Sequence, residues 1–430
     1  MAEPREALSA MPTVKSAALQ ELADRGFIEQ LSDGPAIDEA LASGVVTYYV
    51  GFDPTAQSLH VGNLVCVMAM RILQRHGHKP IVLVGGGTAR IGDPSGRNEM
   101  RKMLDESTID DNVQRIGALL RPFLDFDPAT PHGATLVDNA KWLVAQRYVE
   151  FLRDVGVHFT VNRMLATKTY RDRLDNEQPL SFLEFNYQLL QAYDFLHLYR
   201  EQQCSLQLGG SDQWGNMIAG VELIRRVTDH PTGHAHCLTW PLLTMSDGRK
   251  MGKTQRGAVW ISAEHLSVFD YYQYWVSCDD RDVRKLMLIF TDLPVAEIDT
   301  LCQAEGAALR EVKARLAYEA TAIAHGAEAA ERAQTAAKQA FGGGGDWSAV
   351  PTVTLPSAPI RLLELVVHDA VKAFASKRQA RQRIESGAVK IDGVAHTDPA
   401  EELGADAFGE DGLKLQAGKK HRFRVVVQPG

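Results

Sequence analysis

Apolar positions along the chain change period several times, and each change predicts an element. Val45 to Val50 is an unbroken β-branched and aromatic run, the pattern of a strand buried on both faces. Gly51 to Ser58 interrupts it, with Asp53-Pro54-Thr55 supplying turn chemistry. From His60 the apolar residues fall at helical spacing, with Leu64, Val67, Met68 and Ile72 on one face and Gly77 as the stop. Ile81 to Val84 reads as the next strand and runs into Gly85-Gly86-Gly87. Strand, helix and strand in such close succession predict a doubly wound parallel sheet, an α/β Rossmann-like fold. Its ligands are expected beyond the carboxyl ends of the strands, at residues 49–60 and 85–96.

Further on, Ser181-Phe182-Leu183-Glu184 is a capping box, and a helical pattern follows it to about Arg200. Leu206 to Leu208 is a short strand leading into Gly209-Gly210-Ser211-Asp212-Gln213-Trp214-Gly215-Asn216. Residues 266–340 repeat at helical spacing and predict an all-α domain. Gly342 to Gly345, then Pro351, Pro356 and Pro359, have the composition of a linker. In the remaining segment Leu363, Val366, Val367, Ala370 and Phe374 form one apolar helical face. Ser376 to Gln379 opens a second helix that stops at Gly387, and Val389 to Val394 is a hairpin signal. The expected organisation is therefore 1–240 Rossmann-like, 241–265 a polar Gly-rich loop region, 266–340 helical, 341–359 linker and 360–430 a small α+β module.

Composition narrows the picture. At 45% apolar and 23% charged, a chain of 430 residues is ordinary globular material. No apolar run is long enough to span a membrane, and residues 1–20 lack the apolar core of a secretory signal. Five scattered cysteines suit a reducing cytoplasm. His234-Ala235-His236-Cys237 has no second pair at finger spacing, so no tightly bound metal is expected. The chain carries a net charge of −8, yet residues 371–390 hold six basic residues against Glu385, a local +5. A basic helix beside a hairpin on an acidic protein favours phosphate binding over a merely solvated face.

Two short signatures carry the candidate chemistry. His60-Val61-Gly62-Asn63 lies at a predicted helix N-terminus, where unpaired N–H groups and the helix dipole favour an anion. Gly62 keeps the first turn bare, and Thr55 offers a hydroxyl from the preceding turn. In Lys250-Met251-Gly252-Lys253-Thr254, two lysines three apart in a loop can both reach a polyphosphate. Alone, His60 reads first as a capping histidine and the lysines as an exposed pair. Together they suit attack of a carboxylate on the α-phosphate of ATP. That reaction needs positioning and charge stabilisation rather than a nucleophilic side chain.

The pair resembles the two ATP signatures of class I aminoacyl-tRNA synthetases. Tyr49 to Thr55 leading into His60 to Asn63, then Ile91-Gly92-Asp93-Pro94-Ser95-Gly96, Gln191-Ala192-Tyr193-Asp194 and Gly209 to Asn216, resembles the bacterial tyrosyl-tRNA synthetases in order. Ser376 to Gly393 is similar to the αL-type RNA-binding module shared with a small-subunit ribosomal protein. The resemblance implies that Tyr49 and Asp194 bind the phenol of tyrosine and that Asp93, Tyr187 and Gln191 hold its α-amino group. Asp212 would take the ribose, with Gln207 and Gln213 nearby. Gly51, Asp53, Gly62 and Asn63 would line the nucleotide; Asn63 stands where many members carry a second histidine. Thr55, His60, Lys250, Lys253 and Thr254 would contact the polyphosphate, and Lys377, Arg378 and Arg381 the tRNA. It also implies ATP with Mg2+, a tRNA(Tyr) partner and a homodimer. Tyr187, Gln191 and Asp194, at i, i+4 and i+7, share one helix face, which suits a pocket better than a core. Two other readings fit the signatures: a tryptophanyl-tRNA synthetase, and an RNA-binding protein that has kept the fold without the activity. The Tyr49–Asp194 pair and the C-terminal module speak against the first, the complete set of site residues against the second.

Overall fold

The computed structural model describes residues 13–95, 104–228, 235–248, 251–254, 257–341, 350, 352–374, 376–409, 412–418 and 421–428. Gly96, His234, Lys250 and the Gly342 to Gly345 run lie outside them. The chain divides into two compact units, Met1–Thr244 with Leu288–Ala296, and Met245–Met287 with Glu297–Gly430.

The first unit is built on a six-stranded sheet. Its strands are β1 (Gln30–Leu31), β2 (Thr47–Phe52), β3 (Lys79–Val84), β4 (Thr135–Asp138), β5 (Cys204–Gly210) and β6 (His236–Trp240), in the order β1-β6-β5-β2-β3-β4. All neighbours are parallel except β1, which pairs antiparallel to β6 at one edge. The doubly wound expectation holds, and the strand order reverses between β2 and β5. β2 begins two residues later than the apolar run: Val45 is exposed, and Tyr48, Tyr49 and Val50 are buried. Helix α1 (Val61–Arg75) has His60 as its N-cap and buries Leu64, Val67, Met68 and Ile72. It ends as expected at Gly77, whose φ of 86° lies in the left-handed region that glycine tolerates.

Three further helices position side chains in this unit: α2 (Ala140–Leu143), α3 (Phe182–Gln202) and α4 (Trp214–Val227). The capping box at the start of α3 is present in both directions. Glu184 N–H donates to Ser181 Oγ at 3.1 Å, and Ser181 N–H to Glu184 Oε2 at 3.2 Å. Glu184 is itself buried against Arg173 at 2.7 Å. The Leu288–Ala296 segment is held by Arg25, whose buried guanidinium donates to the carbonyls of Leu288 (3.0 Å), Thr291 (2.9 Å) and Leu293 (2.7 Å). These residues come from the stretch expected to be wholly part of a helical domain; Arg25 needs acceptors in the interior, and this segment supplies them.

The second unit opens with a short ribbon of β7 (Lys253–Thr254) and β8 (Gly257–Ala258). Its helices include α5 (Val268–Val276), α6 (Ala308–His325) and α7 (Ala327–Phe341). Aromatic residues Tyr271, Tyr272 and Trp275 of α5 are buried, as are Leu316, Ala317 and Ala320 of α6 and Ala330, Ala333 and Ala336 of α7. The C-terminal part has its own core of Leu355, Leu362, Leu365, Val366, Ile384, Leu413, Leu415, Val425 and neighbours. Strands β9 (Thr352–Leu355), β10 (Ile360–Arg361), β11 (Val389–Ile391), β12 (Val394–His396), β13 (Glu402–Leu403), β14 (Leu413–Ala417) and β15 (His421–Val427) form two sheets, β12-β11-β14-β15-β9 and β10-β13. The β11–β12 hairpin turns at Asp392 and Gly393, both at positive φ (48° and 87°), as two-residue turns demand.

Two sequence expectations are corrected here. Residues 352–355, assigned by their flanking prolines to a linker, form a strand parallel to β15, because Val353 and Leu355 alternate into the module's core. The apolar helical face from Leu363 to Phe374 is not one helix. Helix α8 (Leu362–Val367) stops, and a turn closed by Ala373 N–H on Val366 O buries Val371 and Ala373 instead, leaving Ala370 exposed. Helix α9 (Lys377–Glu385) follows, capped by Ser376 Oγ accepting from Gln379 N–H at 3.2 Å.

Candidate active site

In doubly wound sheets the ligand crevice opens where strand order reverses, here between β2 and β5. Tyr49 of β2 pairs in register with Gln207 of β5 and Ile81 of β3, so the three side chains share one face of the sheet. Tyr49 and Gln207 are both buried, and neither Tyr49 Oη nor Gln207 Oε1 has a hydrogen-bond partner among the described residues. Orphaned buried polar atoms are rare, and two side by side at the switch point mark a polar ligand's place.

Helix α3 packs on this face, its Phe195 ring tilted against Tyr49 with centroids 5.4 Å apart. It brings Tyr187 and Asp194, both buried, and half-buried Gln191 to one side, as their spacing predicts. Asp194 accepts from Trp142 Nε1 at 2.7 Å on one oxygen and from Asn139 Nδ2 at 2.8 Å on the other. Burial pushes its carboxyl up to about 7; the two donors hold it down, while Asp53 and Asp138 push it further up. Burial also raises the Tyr49 phenol well above its ordinary value, with Asp194 the next cause.

Asn139 and Trp142 were not legible as site residues. Both follow from β4, and no motif marks them. Asn139 Oδ1 in turn accepts from Gly87 N–H at 2.7 Å, and Gly86 N–H donates to Asp138 Oδ1 at 3.1 Å. A Cβ on Gly86 would lie 2.4 Å from that oxygen, so the glycine run after β3 lets the end of β4 approach the backbone.

A second polar group gathers beyond β5. Gln213 Nε2 donates to Asp93 Oδ2 at 2.8 Å, Ser95 N–H to Asp93 Oδ1 at 2.9 Å, and Asn216 Nδ2 to Gln213 Oε1 at 3.3 Å. Buried Tyr170, also missed from sequence, has its phenol pushed up first by burial and then by Asp93 and Glu184. Asp212 sits in the turn Ser211–Gln213 at the carboxyl end of β5. Its charge, after burial, helps push the Cys66 thiol of α1 up to about 12, which sets Asp212 close to that helix.

At the head of α1, Asn63 Oδ1 accepts from the His60 N–H at 3.1 Å. Asn63 therefore stabilises the helix start, with Gly62 half-buried in the first turn. Thr55 is exposed in the loop after β2, its N–H on Asp53 O at 2.9 Å, and Gly51 is exposed near the end of that strand. In the second unit, Met251 is buried and Lys253 and Thr254 make up β7; the side chains of these two lie outside the described residues. On α9, Lys377, Arg378 and Arg381 are exposed while Ala380 and Ile384 face the core.

Residues 42–342 match the family model described as tRNA synthetases class I (W and Y), and residues 345–425 that of the tyrosine–tRNA ligase SYY-like C-terminal domain. The chain is 46% identical over 410 residues to a tyrosine–tRNA ligase of Clostridium botulinum, covering 95% of this chain and 99% of the relative. It is also 46% identical over 420 residues to that of Zymomonas mobilis, covering 98% and 100%. Among solved structures, a C-terminally truncated mitochondrial tyrosyl-tRNA synthetase of Aspergillus nidulans aligns with a TM-score of 0.68 at 27% identity, over 79% of this chain and 97% of that one.

Proposed function

The chain belongs to the class I tRNA synthetases of the tryptophan and tyrosine group, and from that premise we propose that it is specific for tyrosine. It activates tyrosine with ATP to tyrosyl-adenylate and passes the tyrosyl group to the 3′ end of tRNA(Tyr). The observation that carries the choice of tyrosine is the buried Tyr49 hydroxyl, without a hydrogen-bond partner among the described residues and within electrostatic reach of Asp194. A phenol hydroxyl can donate to Asp194 and accept from Tyr49, and neither an indole nor a phenyl ring can do both. The tyrosine-type C-terminal domain supports the same choice over tryptophan.

In this reading Asp93, Tyr187 and Gln191 hold the α-amino group, with Gln207 and Gln213 bordering it. Gly51, Asp53, Gly62 and Asn63 line the nucleotide, and Asp212 takes its ribose. Thr55, His60, Lys250, Lys253 and Thr254 stabilise the charge that grows on pyrophosphate as the tyrosine carboxylate attacks the α-phosphate. Mg2+ enters with ATP as part of the substrate. Lys377, Arg378 and Arg381 bind tRNA phosphates. The enzyme is taken to work as a cytoplasmic homodimer; no helix among the described residues is long and apolar enough to cross a membrane.

The test is ATP–pyrophosphate exchange with tyrosine, phenylalanine and tryptophan. Tyrosine should support exchange. Phenylalanine strands Tyr49 and Asp194 without their partner and should be worse by at least about tenfold, since an unpaired buried polar group costs about 1–3 kcal/mol. Equal exchange with phenylalanine or tryptophan overturns the assignment.

A further inference from the structure

Asp194 is aimed by an indole, and the indole is itself held by one ring. Trp142 sits in α2, a helix of four residues that has little rigidity of its own. Its Nε1 is a single donor with one direction, so the orientation of the ring decides whether Asp194 keeps the bond at 2.7 Å. His197 lies flat against that ring, with centroids 4.2 Å apart and planes 20° from parallel. Asp194 and His197 are three residues apart on α3, so one helix provides both the acceptor for the indole N–H and the surface on which the indole rests. Tyr193, its own ring 6.4 Å from His197, accepts from Gln146 Nε2 at 3.2 Å, and the same nitrogen donates to the Trp142 carbonyl at 2.9 Å. The α2 segment is thus clamped from two sides.

We propose that His197 is a positioning residue for tyrosine selection: its ring stacks on Trp142 and fixes the indole N–H on Asp194, so the carboxylate meets the substrate hydroxyl in one orientation. The proposal rests on the tyrosine reading above. Burial lowers the proton affinity of His197, with Glu201 opposing, and the ring is planar in either protonation state. What the stack requires is a planar ring, not an imidazole.

The full-length protein with His197→Ala, His197→Leu and His197→Phe is compared with the unaltered chain in exchange assays, with tyrosine and phenylalanine each varied and ATP varied separately. Loss of the stack should raise the KM for tyrosine about tenfold or less, because the Trp142–Asp194 bond is weakened rather than deleted. KM for ATP should stay within about twofold, since the nucleotide is not touched by this pair. The preference for tyrosine over phenylalanine should narrow by the same factor as the tyrosine KM rises. His197→Phe should restore both. If His197→Ala does not fold, His197→Leu decides, because it fills similar volume without a plane. Unchanged KM and preference in a folded Ala or Leu variant overturn the proposal, as does an equal rise in KM for tyrosine and ATP, which would mark general loosening. Failure of His197→Phe to restore the preference also overturns it. If the unaltered chain shows no tyrosine-dependent exchange, the tyrosine reading falls first; if it exchanges normally and only the variants behave like it, this proposal alone falls.

Discussion

Asp194 meets two opposing demands. Burial favours its neutral form, while Asn139 and Trp142 donate to both oxygens and favour the carboxylate. Burial wins and holds the group near 7. The stability consequence has a definite sign. A carboxyl whose folded value is raised keeps its full contribution below about 4, where the unfolded group is also protonated, and loses it as pH rises to about 7. Replacing Asp194 by Asn removes that loss. Thermal melts of the two proteins should therefore diverge in favour of Asp194→Asn between pH 4 and pH 7 and run parallel above. Melts that stay parallel across the whole range would show that Asp194 ionises normally. Lys253 makes a different kind of contribution. As a partner of departing pyrophosphate, its replacement by Ala should slow adenylate formation by about a hundredfold or more, with tyrosine affinity kept within about threefold. Single-turnover rates and equilibrium dialysis measure the two effects separately.

Helix α3 carries Tyr187, Gln191 and Asp194, so its first turn matters to the whole site. Ser181→Ala removes one cap bond and should cost about 1 kcal/mol. Arg173→Met should cost more, about 3 kcal/mol, because it leaves Glu184 buried without its cation. Urea melts rank the two, and an Arg173→Met loss no larger than that of Ser181→Ala would show the pair to be solvated. The cap at Ser181, the helix start at His60 and the turn at Asp392-Gly393 could all be read from sequence, since each is fixed by its own few residues. So could the i, i+4, i+7 face of α3. Asn139 and Trp142 could not, because their role depends on β4 lying beside β3, a long-range pairing that no local pattern encodes. The strand β9 did carry a signal, the alternation of Val353 and Leu355, but the neighbouring prolines outweighed it. At α8 the helical period misled for the opposite reason: the core took Val371 and Ala373 through a turn, at positions the period placed elsewhere.

The C-terminal module has its own core and sheet, and its basic residues face outward from α9. A chain ending at Phe341 should keep tyrosine-dependent exchange and charge tRNA very poorly. Charging by the full chain should weaken as salt rises, and Lys377→Ala with Arg381→Ala should flatten that slope. Exchange and charging, run side by side over a salt series, decide it; undiminished charging by the shortened chain rules the module out as the tRNA holder. Prepared alone, the module should fold when it starts at Val350 and fail when it starts at Pro359. The shorter piece loses β9 and the burial of Val353 and Leu355, worth about 3–5 kcal/mol. Far-ultraviolet circular dichroism of the two fragments tests this. The clamp of Arg25 on residues 288–293 bears on a different matter, the time at which the first unit can be completed. Arg25 and its three acceptors are separated by 263 to 268 positions. On a ribosome adding about 5–20 residues per second, the guanidinium would emerge roughly 13 to 54 seconds before the last of them. Arg25 lacks its acceptors for that whole interval, and the first unit, whose last sheet strand ends at Trp240, stays incomplete until Leu293 arrives 53 positions later.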